Sequence, residues 1–418
     1  MQVYSINCYD ISGGAARAAY RIHQALRLND IDSRMLVNHA SGGDWTVHSP
    51  KSYLSKFIPK IRHISGALAT KSLQTENPVL HSPAFLPSKW PKFINNSDVD
   101  IAHLHWINHE MLSVSDISKI KKPLVWTLHD MWAFCGAEHY ANDDRWLNGY
   151  SKKNRPSHEK GFDLNQWVWK RKVEHWKQPI HIVAPSNWLA KCARESIIMR
   201  DWPIDVIHNA IDTDKWKPIE KKIARQLLKL PLDAPLLMFG ALGGVVDLRK
   251  GFDLLEKALN LLQGKVSGLE LVIFGQLAPE VSKKLGFRVH YAGHLHDDIS
   301  LNLLYSAVDV LVIPSRQDNL PNTGVESLAC GTPVVAFDTG GLPDLVNHQH
   351  TGYLAKAFDI DDLARGIEWT LMEVFKGNDL SHYARLDAVS RFSYPVIAKK
   401  YREVYETAIK NKSFNKWA

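Results

Sequence analysis

Short apolar runs alternate with helical patterns along the whole chain, and this alternation limits the fold more than any other feature. Runs of this kind, separated by stretches with apolar residues three and four apart, read as a mainly parallel α/β sheet. In the first half the candidate strands are Val3–Asn7, Ser33–Val37, Ile101–His105, Leu124–Leu128 and His181–Ala184. In the second half they are Leu236–Phe239, Leu269–Phe274, Val289–Ala292, Val308–Ile313 and Pro333–Ala336. Ala15–Leu26 and Phe252–Leu262 show the helical spacing clearly. A length of 418 residues suggests two or three domains. Two sets of strands imply two doubly wound domains joined between Trp202-Pro203 and Pro218. The expected division is 1–205 and 206–394, with the C-terminal stretch 395–418 packing back on the first domain. Ligands of such sheets bind beyond the carboxyl ends of the strands, so two facing sheets imply an interdomain cleft. No solenoid-period repeat or low-complexity tract interrupts the pattern.

The composition, 45% hydrophobic and 23% charged, allows a core of ordinary size and argues against disorder. No apolar run is long enough to span a bilayer. The N-terminus, Met1-Gln-Val-Tyr-Ser-Ile-Asn, lacks a basic start and a long apolar stretch. It reads as a first strand, and cytosolic residence is the default expectation. Cys8, Cys135, Cys192 and Cys330 are far apart and form no CxxC pair. Reduced, buried thiols are expected, with no zinc site. A net charge of +7 and a pI near 9.0 favour an anionic partner. No basic-aromatic RNA motif accompanies the charge, which disfavours nucleic acid. Lys51–Lys71 carries Lys51, Lys56, Lys60, Arg62 and Lys71 without an acid, and its apolar residues recur at near-helical spacing. Pro59 is expected to kink or restart a helix there. Such a segment either lies on an anionic membrane, at the inner face of the cytoplasmic membrane, or packs on its own domain with solvated lysines.

The chemistry concentrates at Asp318 to Gly331. Asp318 and Glu326 stand with seven residues between them, after a buried strand that ends at Pro314 and around the start of a helix. The first turn of a helix offers N–H groups and partial positive charge to a phosphate. Carboxylates on either side can accept hydrogen bonds from hydroxyls, so a nucleotide sugar fits the pattern. A hydrolase acid/base pair is the competing reading, but it needs no phosphate cradle such as Asn322-Thr323-Gly324. Gly13-Gly14, after the first strand, lets a backbone approach a phosphate. Without a full G-x-G-x-x-G, a dinucleotide cofactor is disfavoured. His129-Asp130 sits at a strand end, where an imidazole can bond a sugar hydroxyl or phosphate. His103 and His105 follow a strand alternation and read as structural. Arg249-Lys250 precedes a helix and suits a diphosphate.

With these residues in hand, the chain resembles the retaining GT-B glycosyltransferases of the family 4 type, which have two Rossmann-like domains. The resemblance runs through both halves and is strongest from Val206 to Gly352. The family's pair of acids is matched by Asp318 and Glu326, with aspartate in place of the first glutamate. Ala329-Cys330-Gly331-Thr332-Pro333, Gly340-Gly341-Leu342-Pro343-Asp344 and His208-Asn209-Ala210-Ile211-Asp212 are similar to family surroundings. The resemblance implies Glu326 on the ribose and Asp318 on the donor sugar, helped by Asn319, Leu320 and Pro321. It implies amides near Asn322, Thr323 and Gly324 on the diphosphate, with Lys250, Arg249, Gly13 and Gly14. The base would lie near Gly293, His294 and Leu295, and His129 near the sugar and leaving phosphate. The family often has an arginine where this chain has Gly244. Thr127–Trp132 is similar to a subgroup associated with bacterial surface polysaccharide assembly, of the colanic-acid or O-antigen kind. Only Cys135 remains of that subgroup's downstream cysteines, and no metal is inferred.

The expected function is transfer of a sugar, with retention, from a nucleotide diphosphate to a glycan acceptor. A lipid-linked oligosaccharide is the expected acceptor. No cofactor beyond the nucleotide sugar is called for. A nucleotide-sugar epimerase of the same architecture and a non-catalytic nucleotide-sugar binder are the alternatives.

Overall fold

Strands buried on both faces must be apolar on both, and the runs read from the sequence meet that demand. The computed structural model describes residues 1–50, 53–240, 247–275, 285–295 and 297–414, with only the backbone of 53–56 and 413–414. Gly244 and most of the loop around it lie outside these residues, as do Lys51 and the side chain of Lys56.

The chain forms two units, Met1–His208 with Ile397–Ala418, and Asn209–Val396. In the first unit the strands are β1 (Gln2–Ile6), β2 (Asp32–Leu36), β3 (Val47–His48), β4 (Leu73–Gln74), β5 (Ile101–Leu104), β6 (Leu124–Thr127), β7 (Lys160–Gly161), β8 (His181–Ala184) and β9 (Ile204–Val206). Seven of them make a parallel sheet in the order β3-β2-β1-β5-β6-β8-β9, and β4 pairs antiparallel with β7. The chain moves from β1 outward to β2, then returns to place β5 on β1's other side. The β1–β5 boundary is therefore a topological switch point, where a crevice opens beyond the strand ends.

The second unit repeats the plan with β10 (Leu236–Gly240), β11 (Glu270–Phe274), β12 (Arg288–Gly293), β13 (Val310–Ile313), β14 (Val334–Phe337) and β15 (Gly352–Ala355). Their order is β12-β11-β10-β13-β14-β15, all pairs parallel, with the switch between β10 and β13. Side chains alternate between two cores, as a strand period of two requires. Leu236, Met238, Val272, Leu311, Ile313 and Val334 enter one core. Leu237, Phe239, Leu271, Ile273, Val310, Val312 and Val335 enter the other. Each such side chain contributes about 1.5–3 kcal/mol on burial.

Two elements differ from the sequence reading. One helix, Tyr53–Thr70, runs through Pro59 rather than restarting there. Docking compensates for the backbone bond that proline forgoes: Arg62 donates to the carbonyls of Leu86, Pro87 and Glu110. Gly66 lies so close to Glu110 that a Cβ would come within 2.9 Å of its Cγ. The helix at the C-terminus spans Tyr394–Phe414, starting one residue before the expected stretch 395–418. From Ile397 on it belongs to the first unit, where Tyr401 and Tyr405 hydroxyls meet Thr127 Oγ1 at 2.9 Å and His103 Nδ1 at 2.8 Å. His103 is fully buried and also bonds Thr127, as a structural histidine would.

Candidate functional site

The second unit's switch point gathers the charged residues singled out in the sequence. β13 is buried throughout and ends at Pro314, and the chain then loops through Asp318 into the helix Asn322–Ala329. On the other side of the switch, the chain after β10 returns at the short turn Leu248–Lys250 and enters the helix Phe252–Leu262. Gly251, at φ +70°, makes that entry, and a Cβ on it would lie 1.9 Å from the Pro314 carbonyl oxygen. Only glycine lets the two strand ends approach this closely.

Across this junction Lys250 Nζ lies 2.7 Å from Asp318 Oδ2. Arg249 stands 4.0 Å from the other carboxylate oxygen, and its guanidinium donates to Asp247 and to the Gln317 carbonyl. Burial would raise the Asp318 carboxyl pKa. The Lys250 and Arg249 cations, with hydrogen bonds from Lys250 and the Asn319 amide, outweigh burial and hold it below the usual carboxylate range. Gly340, at φ +57°, backs the loop: a Cβ there would come within 2.6 Å of the Asp318 carbonyl oxygen, which accepts from the Gly341 amide at 2.9 Å.

The helix Asn322–Ala329 begins after Pro321, which offers no side-chain cap. Its first turn contains Asn322, Thr323 and Gly324, so the amide end of the helix faces the loop that carries Asp318. That end favours an anion. Asn209 fixes the entry, donating to the Leu320 carbonyl at 2.9 Å and to Asn322 Oδ1 at 3.1 Å. Glu326 is 3% exposed and accepts from the Tyr305 hydroxyl at 2.9 Å. Gly293 ends β12, at the edge of the sheet, and His294 and Leu295 follow it. Leu295 packs on the same core as Tyr305 and Leu320.

Lys250, Arg249 and Asp318 therefore meet directly, and Asn319 to Gly324 share their loop and helix entry. The sequence reading gives Asp318 and Lys250 separate ligands, whereas here they bind each other. Asn209, Tyr305, Gly340 and the Arg316–Asp253 pair, at 2.7 Å across both oxygens, were missed as supports of the site. The family-like segments 208–212 and 340–344 were the only sequence signals for any of them.

In the first unit, Gly13 (φ +90°) is the N-cap of the helix Gly14–Arg27, at the end of the loop that follows β1. His129 and Asp130 follow β6. His129 Nε2 lies 3.2 Å from His105 Nδ1. Burial lowers the His129 pKa to about 4, against a smaller opposing pull from Asp130. The ring is thus neutral near pH 7 and presents one donor and one acceptor. Asp130 accepts from Trp106 Nε1 at 3.0 Å and lies 2.5 Å from His139 Nδ1. Among the described residues no group of three or more His, Cys, Asp or Glu could hold a metal ion. None of their helices is long and apolar enough to cross a membrane.

Residues 12–215 match the model of Glycosyltransferase Family 4, and residues 236–373 match that of Glycosyl transferases group 1. D-inositol 3-phosphate glycosyltransferase 2 of Catenulispora acidiphila is 27% identical over 222 residues, 50% of this chain and 51% of its own length. The chain thus spans about half the length of that curated relative. Sucrose-phosphate synthase from Thermosynechococcus elongatus superposes with a TM-score of 0.67 at 17% identity, covering 98% of this chain and all of the other. Anabaena HepE, solved with UDP and glucose, gives 0.62 at 17% identity, covering 97% and 100%. At such identities the two structures share the fold: two Rossmann-like parallel sheets of the GT-B kind.

Proposed function

We propose that this chain, which belongs to the GT-B glycosyltransferases of group 1 and family 4, transfers a sugar from a nucleotide diphosphate to a glycan acceptor with retention. The observation that carries the reading is the Lys250–Asp318 pair at the second unit's switch point, beside an uncapped helix N-terminus. A nucleoside diphosphate entering there takes Lys250 for its phosphates and leaves Asp318 to accept from sugar hydroxyls. The amides of the first helical turn and Arg249 add positive charge as the diphosphate departs, the step where such charge lowers the barrier. Glu326, its carboxylate fixed by Tyr305, receives the ribose hydroxyls, and the backbone near Gly293–Leu295 receives the base. Gly13, Gly14 and His129 serve the same reaction from the first unit. The neutral His129 ring donates to the sugar or leaving phosphate without a charge of its own. HepE, with its bound UDP, supports a uridine nucleotide as the first donor to try.

The acceptor is proposed to be lipid-linked, as in bacterial surface polysaccharide assembly, with the protein at the inner membrane face. The helix Tyr53–Thr70 supports this. Phe57, Ile61, Ile64 and Leu68 make one row along it, 51–60% exposed, while Pro59, Arg62 and Gly66 face inward. Lys60 and Lys71 flank the row, and no acid occurs between 51 and 71. An apolar row with a cationic fringe is complementary to an anionic bilayer surface.

The test is a coupled assay with UDP- and GDP-sugars and a polyprenyl-pyrophosphate-linked sugar acceptor. The expected result is acceptor-dependent release of nucleotide diphosphate and a product that keeps the donor's anomeric configuration. Turnover of donor alone into an isomeric nucleotide sugar would instead establish an epimerase. Binding without turnover under every acceptor would leave only a binding protein.

A further inference from the structure

The first unit has its own switch point, and a cluster of rings there has no part in donor recognition. Tyr9 follows β1, His39 follows β2, and Trp106 and His109 follow β5. Tyr9 and His109 bridge the crevice, hydroxyl to Nδ1, at 3.0 Å. Around them the rings are continuous. Tyr9 stacks on His39 at 5.2 Å between centroids, and His109 meets Trp106 edge-on at 4.7 Å. The helix Tyr53–Thr70 adds His63, 4.4 Å from His109, and Lys60, whose charge acts on His39. The His39 and His63 rings make no hydrogen bond among the described residues, although the His39 backbone bonds Cys8 and Asp10.

The loop is held in an unusual backbone. His109 and Glu110 are consecutive non-glycine residues at φ +55° and +59°. Glu110 is buried and secures the loop by accepting from the amides of Phe85 and Leu86 at 3.0 and 2.9 Å. Such strain persists where surrounding contacts enforce it, and it concentrates at ligand sites. The nearby carboxylates are engaged elsewhere, apart from Glu110 Oε1, which is buried without a hydrogen bond. Asp10 accepts from the amides of Ile11, Ser41 and Gly42, Glu110 is bound as above, and Asp130 is bound by Trp106, His139 and the Trp132 amide. What the crevice presents is therefore imidazole, indole, phenol and ammonium.

We propose that this cluster is an acceptor subsite for a phosphate-bearing sugar, with His39, His63, His109 and Lys60 on the phosphate and Tyr9 and Trp106 on the adjoining ring. This rests on the transferase reading above and names the acceptor's chemical class. Stacked aromatic faces suit the C–H face of a sugar, and clustered imidazoles with a lysine suit an anion. Burial lowers the His109 pKa to about 4, helped by His63, His139 and His39. Burial, then Lys60 and His63, lower that of His39. With no ligand these rings are neutral near pH 7. A bound phosphate reverses the local sign, so the rings take up protons as it binds. The Trp106–Asp130 bond connects the subsite to the residue beside His129, and His63 and Lys60 connect it to the helix with the exposed apolar row. A phosphate-linked sugar on a lipid and a free sugar phosphate share this chemistry.

Histidine-ring NMR on the full chain tests the proposal. The probes are glucose 1-phosphate, polyprenyl-pyrophosphate-linked glucose in neutral micelles, and plain glucose as the uncharged control. The expected result is protonation shifts of His39 and His109 with a phosphate probe and none with glucose. H63Q, H109Q and K60Q should each weaken that binding about tenfold, the scale of one charge-assisted hydrogen bond, and leave UDP or GDP binding unchanged. Response to the micellar probe alone identifies a lipid-borne acceptor, and an equal response to glucose 1-phosphate identifies a soluble one. Rings that ignore both phosphate probes, or variants that all bind as the wild type does, would overturn the subsite. Failure of UDP and GDP to bind while the rings respond would instead count against the transferase reading.

Discussion

At the scale of single residues, the central finding is that Asp318 and Lys250 satisfy each other. A carboxylate held by a lysine in a water-poor loop stays ionised, and the lysine stays in place for a phosphate. Any ligand that takes the lysine must compete with the carboxylate. Asp318→Asn removes that competition while keeping the shape. Free UDP or GDP should then bind as well as to the wild type or up to about tenfold tighter, the scale of one charge-assisted bond. Sugar transfer should fall sharply, because a charged acceptor with two oxygens becomes a neutral amide with one. Calorimetry and turnover on the same preparation separate the two effects; loss of UDP and GDP binding together would refute the assigned roles. The acids and lysine were legible in the sequence because they lie in one short loop and one turn. Their pairing was not, since 68 positions separate Lys250 from Asp318. Asn209 was likewise out of reach, because its partner Leu320 is 111 positions away.

At the scale of elements, apolar runs located most strands to within a residue or two. β15 and the short β3, β4, β7 and β9 were missed, because they lack a long apolar run: β9 is Ile-Asp-Val, half exposed. Pro59 does not restart the helix Tyr53–Thr70, since the contacts that hold it come from Leu86, Pro87 and Glu110, which no local rule can see. What its spacing did reveal is a face, and that face gives a prediction. Ile61→Glu with Ile64→Glu should leave the fold intact, because both side chains are more than half exposed. Co-sedimentation with phosphatidylglycerol vesicles should drop about tenfold or more, as charges of the wrong sign replace buried methylenes worth about 0.8 kcal/mol each. Equal sedimentation of variant and wild type would remove this helix from the membrane-binding surface.

At the scale of the whole molecule, the buried imidazoles give a pH signature. Burial, the largest cause for each, lowers His23, His109 and His129 to about 4 and His103 to about 3. Their unfolded value is about 6.5. Between the two, the unfolded chain binds more protons than the folded one, so stability is lost as pH falls. The loss starts near pH 6.5 and is complete near the folded values, with fully buried His23 contributing about 3 kcal/mol and His103 about 5 kcal/mol. Melting temperature should therefore fall steeply from pH 6.5 to 4, and a flat profile would contradict the burial of these rings. The two-sheet plan was readable from the alternation of elements, and each sheet places its polar residues at a switch point. The claim that most depends on this plan is that the second unit's switch point binds a nucleoside diphosphate. Calorimetry of UDP and GDP with the wild type and with Lys250→Ala tests it most directly, with the melting curve checking the variant's fold. The account predicts binding to the wild type that weakens about tenfold or more in the variant, as expected when a charged partner is removed. Equal binding by a folded Lys250→Ala protein, or no binding of either nucleotide to the wild type, would contradict it.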